Sequence, residues 1–153
     1  MGQVMHRLKL TWLASEGGTV AQTTATFRIM LCITIVYQVC HQILKWLPIA
    51  YIDTSDGYAR PAKGYYMVVN MQYFLVITFS LFTFLMICRT RRRVRERYSI
   101  PEKQCRGVED CCCAWFCGCC TVAQMARHTA DYETYAGQCC SETGVPAHAP
   151  SIV

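Results

Sequence analysis

The chain has 153 residues, 53% of them hydrophobic and 16% charged, with a formal net charge of +5. That balance excludes a disordered chain and is rather apolar for a small soluble domain, so the composition reads as a small membrane protein. Most of the positive excess lies in one block beside an apolar run, where anionic lipid is a nearer partner than nucleic acid, and no nucleic-acid partner is expected.

Residues 1–26 form an N-terminal arm with Arg7, Lys9 and the single acid Glu16, followed by small and hydroxylated residues. Met1-Gly2 invites a myristoylation reading, but that signal wants Ser or Thr where His6 stands. A basic, hydroxyl-rich start also fits a transit peptide, although arginine is sparse. The favoured reading is a short cytosolic arm with an interfacial turn, Val4, Met5, Leu8 and Trp12 making one apolar side.

A first membrane helix is expected over residues 27–52. It begins too far in, and lacks the small-residue end, for a cleaved signal. Lys45 lies close enough to its end to snorkel, and Trp46 and Tyr51 suit the interface. Gln38, His41, Gln42 and Lys45 recur at helical spacing on one face, which is expected to turn towards the second helix or another subunit. Residues 53–64, DTSDGYARPAKG, read as a loop joining two spans into a hairpin.

The second span, residues 65–88, is YYMVVNMQYFLVITFSLFTFLMIC, without a charged residue. At about 1.5 Å a residue it reaches roughly 36 Å, enough for a hydrocarbon core of about 30 Å with some tilt. Val, Ile and Phe would suit strands in water, but lipid demands internally satisfied backbone, and helix is predicted. Arg89, Arg91, Arg92, Arg93, Arg95 and Arg97 follow at once. They read as a stop-transfer block and headgroup anchor, and with Arg7, Lys9 and Arg28 before the first span they place both termini on the cytosolic side. Ser99-Ile100-Pro101 then breaks the helix, and a polar connection follows up to Asp110.

Residues 89–140 carry the basic block and a cysteine-rich segment that holds nine of the chain's 12 cysteines, from Cys105 to Cys140. In a reducing compartment such usage points to metal ligation, acylation or redox chemistry, and in an oxidising one to disulfides. If EDCCCAWFCGCCTVAQMARH is helical, Cys113, Cys117, Cys120, Gln124 and His128 share one face. Cys113, Cys117, Cys120 and His128 are therefore the candidate metal ligands, a thiolate and imidazole set suited to zinc or a softer ion such as cadmium. Gly118 argues for a bend that loosens this assignment and brings Cys139 and Cys140 within range.

Three other uses of the thiols stand beside metal. Cysteines near a membrane, flanked by Trp115 and Phe116, are candidates for S-acylation. The run CCCAWFCGCC also suits an apolar segment lying in or dipping into the interface, and disulfides come third. No paired carboxylate, nucleophile triad or phosphate loop is present, so the chain is not expected to be an enzyme. Residues 141–153, with Pro146 and Pro150, read as a solvated tail.

The runs RTRRRVRERYSI and EDCCCAWFCGCCTVAQMARH resemble the second half of the cysteine-rich family that includes cornifelin, the placenta-specific eight protein and the plant cadmium-resistance and fruit-weight proteins. Arg95, Tyr98 and Ile100 match its arginine-rich piece, Asp110 and Cys111 its acidic-cysteine piece, Cys117 and Cys120 its C-x-x-C, and Gln124 with Arg127 its closing motif. His128 stands where the family usually has Glu, and the family's first cysteine cluster is missing, since only Cys32 and Cys40 precede Tyr65. The resemblance implies a small membrane-associated protein, often oligomeric, linked variously to divalent-metal resistance or transport, calcium influx and control of growth.

The combined expectation is an all-α membrane protein: a two-helix transmembrane hairpin with cytosolic ends and a cysteine-rich helical tail at the membrane surface. It would bind or handle divalent metal, with zinc the first ion to test. The alternative is a non-catalytic scaffold or adaptor anchored by S-acylated cysteines and the arginine block. Expected partners are the bilayer, its anionic headgroups, and a second copy or another membrane protein.

Overall fold

The computed structural model describes residues 1–15, 19–53, 60–61, 64–101, 107–139 and 141–150. Most of the turn between the spans, the connection over 102–106, and Cys105 and Cys140 lie outside the described residues. Among the described residues four α-helices carry the fold: α1 (Gly2–Arg7), α2 (Val20–Trp46), α3 (Tyr65–Tyr98) and α4 (Glu109–Thr129). A 3₁₀ turn, Leu47–Tyr51, extends α2, and β1 (Ile52–Asp53) pairs antiparallel with β2 (Arg60–Pro61) in a two-residue ladder. The expectation of an all-α chain is corrected only by that ladder, which closes the base of the hairpin. Spans Ala21–Ala50 and Tyr65–Tyr98 are long and apolar enough to cross a membrane.

The chain divides into two compact units, Cys32–Phe82 on its own and Met1–Leu31 with Thr83–Val153. Within Cys32–Phe82, the Tyr37 ring stacks on Phe79, centroids 3.7 Å apart and nearly parallel, and His41 stacks in turn on Tyr37 at 5.7 Å. Cys32, Val36, Tyr37 and Cys40 face Leu75, Thr78 and Phe79 across an apolar groove. Because Tyr37 takes the contact face, Gln38, Gln42 and Lys45 are exposed and do not turn towards α3. Of the two destinations expected for that polar face, the second helix is thereby ruled out for these three side chains.

The other unit departs further from expectation. Val4, Met5, Leu8, Leu10 and Ala14 are buried, so the arm's apolar side packs inside the protein and only Trp12 and Leu13 stay exposed. Lys9, at φ +54°, turns the chain out of α1, and Leu10 N–H closes back to the Met5 carbonyl at 3.0 Å, a C-terminal cap that aims Leu10 inward. The buried Thr26 hydroxyl of α2 donates to the Leu10 carbonyl at 2.7 Å and pins the arm there.

Residues 141–145 fold back on the N-terminal arm and are not solvated as expected, while residues 151–153 lie outside the described residues. Gln3 Nε2 donates to the carbonyls of Gln138 and Ser141, both at 2.9 Å, and Arg28 pairs with Glu142 at 2.8 Å. Arg7 donates to the Thr143 carbonyl, to Thr129 Oγ1 at 2.9 Å and to the Tyr132 hydroxyl, and its guanidinium lies 5.3 Å from the Tyr132 ring centre. One side chain thus ties α1 to the end of α4 and to the returning chain. Hydrogen bonds from a charged donor contribute about 1.5–3 kcal/mol each, not additively. Arg7→Met is therefore expected to lower amide-exchange protection in α1 and residues 141–150 by roughly 2 kcal/mol. Unchanged protection there would remove Arg7 from this role.

Helix α3 continues without a break from the apolar run through the arginines. It ends where Ser99 adopts φ +53° and Ile100 N–H caps the Arg95 carbonyl at 3.0 Å, directly before Pro101.

Candidate metal centre

Helix α4 starts with Glu109 and Asp110 and closes with Arg127 and His128, an arrangement that complements the helix dipole at both ends. Its acids do more than cap. Asp110 accepts from Arg91 Nε at 3.0 Å through one carboxylate oxygen and from Arg95 Nη1 at 2.9 Å through the other. All three side chains are largely enclosed, at 12% exposure for Asp110, 14% for Arg91 and 13% for Arg95. Arg91 also reaches Gln124 Oε1 at 3.0 Å, so it bridges the start and the second half of α4.

The arginine block is thereby divided. Arg91 and Arg95, four residues apart, point at Asp110, while Arg92 and Arg93 pair with Glu96 on the outer side. The expectation of a headgroup anchor is narrowed here: Arg91 and Arg95 hold Asp110, and Arg89 and Arg97 reach the carbonyls of Leu13 and Leu8 in the N-terminal arm.

Midway, α4 is kinked. Cys117 has φ −148° and ψ 68°, which interrupts the helical ladder and separates two helical halves. The Thr121 hydroxyl lies 2.9 Å from the Cys117 carbonyl and 3.1 Å from the Cys113 carbonyl, serving acceptors at the break. Gly118 follows, and a Cβ there would come within 3.3 Å of Ile87 Cδ1 of α3, so the absent side chain allows close approach at the bend.

The kink decides which thiols converge. The sulfurs of Cys117, Cys119 and Cys120 all lie within 4.8 Å of one another, with Cys117 and Cys119 3.8 Å apart. Cys117 and Cys120 are joined as a disulfide, Cα to Cα 5.3 Å. Cys113, Cys117 and Cys120 border one concavity with Cys112, Phe116 and Gln124, whereas His128 borders another with Asp131 and Glu133. Of the ligand set expected from periodicity, Cys117 and Cys120 are thus brought together, Cys113 borders the same concavity without joining the three close sulfurs, and His128 borders a different one. Cys119 was missed because an unbroken helix turns it off the Cys117 face. The adjacent Gly118 was the available signal.

A metal held by thiolates at about 2.3 Å in tetrahedral geometry sets its sulfurs about 3.8 Å apart. The Cys117 to Cys119 separation meets that spacing, and opening the Cys117–Cys120 bond would release both of its thiols beside Cys119. The donor set therefore fits a thiophilic divalent ion in the reduced protein.

The PLAC8 family model matches residues 1–128. The chain belongs to the PLAC8 family. This is the cornifelin and placenta-specific eight family, and the match takes in α1, α2 and α3 as well as the cysteine segment, beyond the second-half motifs read from sequence. No curated protein and no solved structure matches the chain. In PLAC8 terms, the matched motif residues Arg95, Asp110, Gln124 and Cys117 acquire distinct roles here: the first two are the interhelical ion pair, Gln124 receives Arg91, and Cys117 is the kink.

Proposed function

We propose that this PLAC8 protein is a small cysteine-rich integral membrane protein that binds divalent metal ions through Cys117, Cys119 and Cys120 on the cytosolic side. The convergence of three sulfurs within 4.8 Å at the α4 kink carries the reading. The cytosolic assignment rests on the cations before α2 and after residue 88, which exceed the Arg60 and Lys63 of the intervening loop. A reducing compartment keeps Cys117 and Cys120 available as a dithiol. The bound ion would cross-link the two halves of the kinked helix, and it is the thiolates, not a catalytic group, that the site supplies. Two spans cannot enclose a pore, so transport would require several copies.

A second reading draws on the exposed thiol of Cys119 beside exposed Trp115 and Phe116. There the cysteines take acyl chains, and the protein is a non-catalytic scaffold held by lipid and by its outward arginines. Elemental analysis of detergent-purified, reduced protein separates the two. Stoichiometric zinc supports metal binding, and metal-free protein bearing hydroxylamine-sensitive acyl groups supports the anchor.

A further inference from the structure

The contacts of α4 along α3 act as a depth gauge. At its start, Asp110 is held by Arg91 and Arg95, and its carbonyl lies 3.9 Å from Cys88 Sγ, at the end of the apolar run. Five residues on, the Trp115 ring meets Phe84 edge-on at 5.7 Å, and Phe84 lies inside that run, four residues or about 6 Å before Cys88. At the kink, Gly118 lies against Ile87, and by Gln124 the helix is back at Arg91. Along the axis of α3, α4 therefore descends from the end of the apolar run, turns near Trp115 to Gly118, and returns towards Arg91. From Cys88 to Phe84 the excursion is about 6 Å.

The chemistry of the turn agrees with the path. No charged residue occurs from Cys111 to Ala126, and Trp115 and Phe116 at the lowest point are 71% and 83% exposed. A largely exposed Trp-Phe pair is costly in water but natural in the outer part of a bilayer, where aromatic rings settle. On α3, Leu85, next to Phe84, is likewise uncovered.

We propose that α4 is a re-entrant helix whose kinked tip inserts Trp115 and Phe116 into the cytosolic leaflet of the bilayer, its two ends held at the surface by the Arg91–Asp110–Arg95 and Arg91–Gln124 contacts. The proposal rests on the reading of α3 as a membrane span. It also makes the cysteine kink a site at the lipid boundary rather than in bulk water.

Three single-tryptophan proteins, reconstituted into phosphatidylcholine vesicles containing a minority of phosphatidylserine, test this. One keeps Trp115 alone through Trp12→Phe and Trp46→Phe. The others add Trp115→Phe to these and carry either Phe74→Trp, in the middle of the apolar run, or Val108→Trp, on the water side of the clamp. Trp115 emission is expected to be blue-shifted, strongly quenched by lipid brominated near the glycerol end, and several-fold less sensitive to aqueous iodide than Val108→Trp. Iodide-accessible Trp115 without bromolipid quenching, while Phe74→Trp is quenched, overturns the insertion alone. Trp115 shielded from both quenchers overturns it in favour of a covering protein surface, such as a second copy. If Phe74→Trp also escapes lipid brominated deep in the acyl chain, the span reading has failed and the insertion falls with it.

Discussion

Replacing Asp110 by Ala is expected to detach α4 from α3 at its N-terminal end and to be the most destabilising single substitution in the unit outside the hairpin. The reason is asymmetric. Asp110 supplies the carboxylate shared by two guanidinium groups that are only 14% and 13% exposed, and removing it takes the bound carboxylate from Arg95 and leaves Arg91 with Glu109 alone, 3.9 Å away. Breaking an enclosed pair from one side costs about 3–5 kcal/mol, far more than losing a surface ion pair, which is worth about 0–1 kcal/mol. Glu96→Ala, which opens the exposed pairs to Arg92 and Arg93, is the matched control and should have little effect. Thermal unfolding in detergent, read by protease sensitivity between α3 and α4, measures both. Combining Asp110→Leu with Arg91→Met and Arg95→Leu should recover much of the loss, since an apolar replacement of the whole group leaves no stranded charge. Equal, small effects of Asp110→Ala and Glu96→Ala would mean that the clamp contributes nothing special.

Serine at Cys117, Cys119 or Cys120 is expected to abolish stoichiometric zinc binding by the reduced protein. Each change removes a thiolate ligand, so the loss of affinity should exceed the roughly 10- to 100-fold that follows loss of a mere outer-shell partner. Cys139→Ser is the control, because Cys139 is not among the three converging sulfurs. His128→Ala discriminates between the two ligand sets. If periodicity on an unbroken helix were the right guide, it would weaken binding, whereas the kinked helix predicts no change. Binding should also fail after treatment with a low-molecular-weight disulfide, since the Cys117–Cys120 bond withdraws two of the three thiols. It should weaken as pH falls, because protons compete with metal for thiolate. Competitive titration against a zinc-chelating dye reads all of these. Zinc that persists in the Cys119→Ser protein would sink the site as drawn.

The long helices were legible because their signal is local. An uncharged apolar run can only satisfy its backbone in lipid as a helix, and Pro101 marks where α3 must end. The cysteine helix was legible too, with acids at its start and cations at its end. The bend was expected near Gly118 and falls at Cys117 beside it. The arm and the returning chain were not legible: Arg7 meets Thr129 and Thr143 more than a hundred residues away, and Val4, Met5 and Leu8 give the same apolar stripe whether they meet lipid or protein.

By itself, then, the sequence determined two membrane-length helices, a basic boundary, a cysteine-rich helix and the residues of the family motif, because hydrophobicity and i, i+4 spacing are properties of neighbouring residues. Only the tertiary structure decided that Arg91 and Arg95 face inward on Asp110 and that Cys119 joins Cys117 and Cys120 while His128 stands apart. Those outcomes depend on where α4 bends and how it crosses α3, and a backbone break at one residue re-aims every side chain after it.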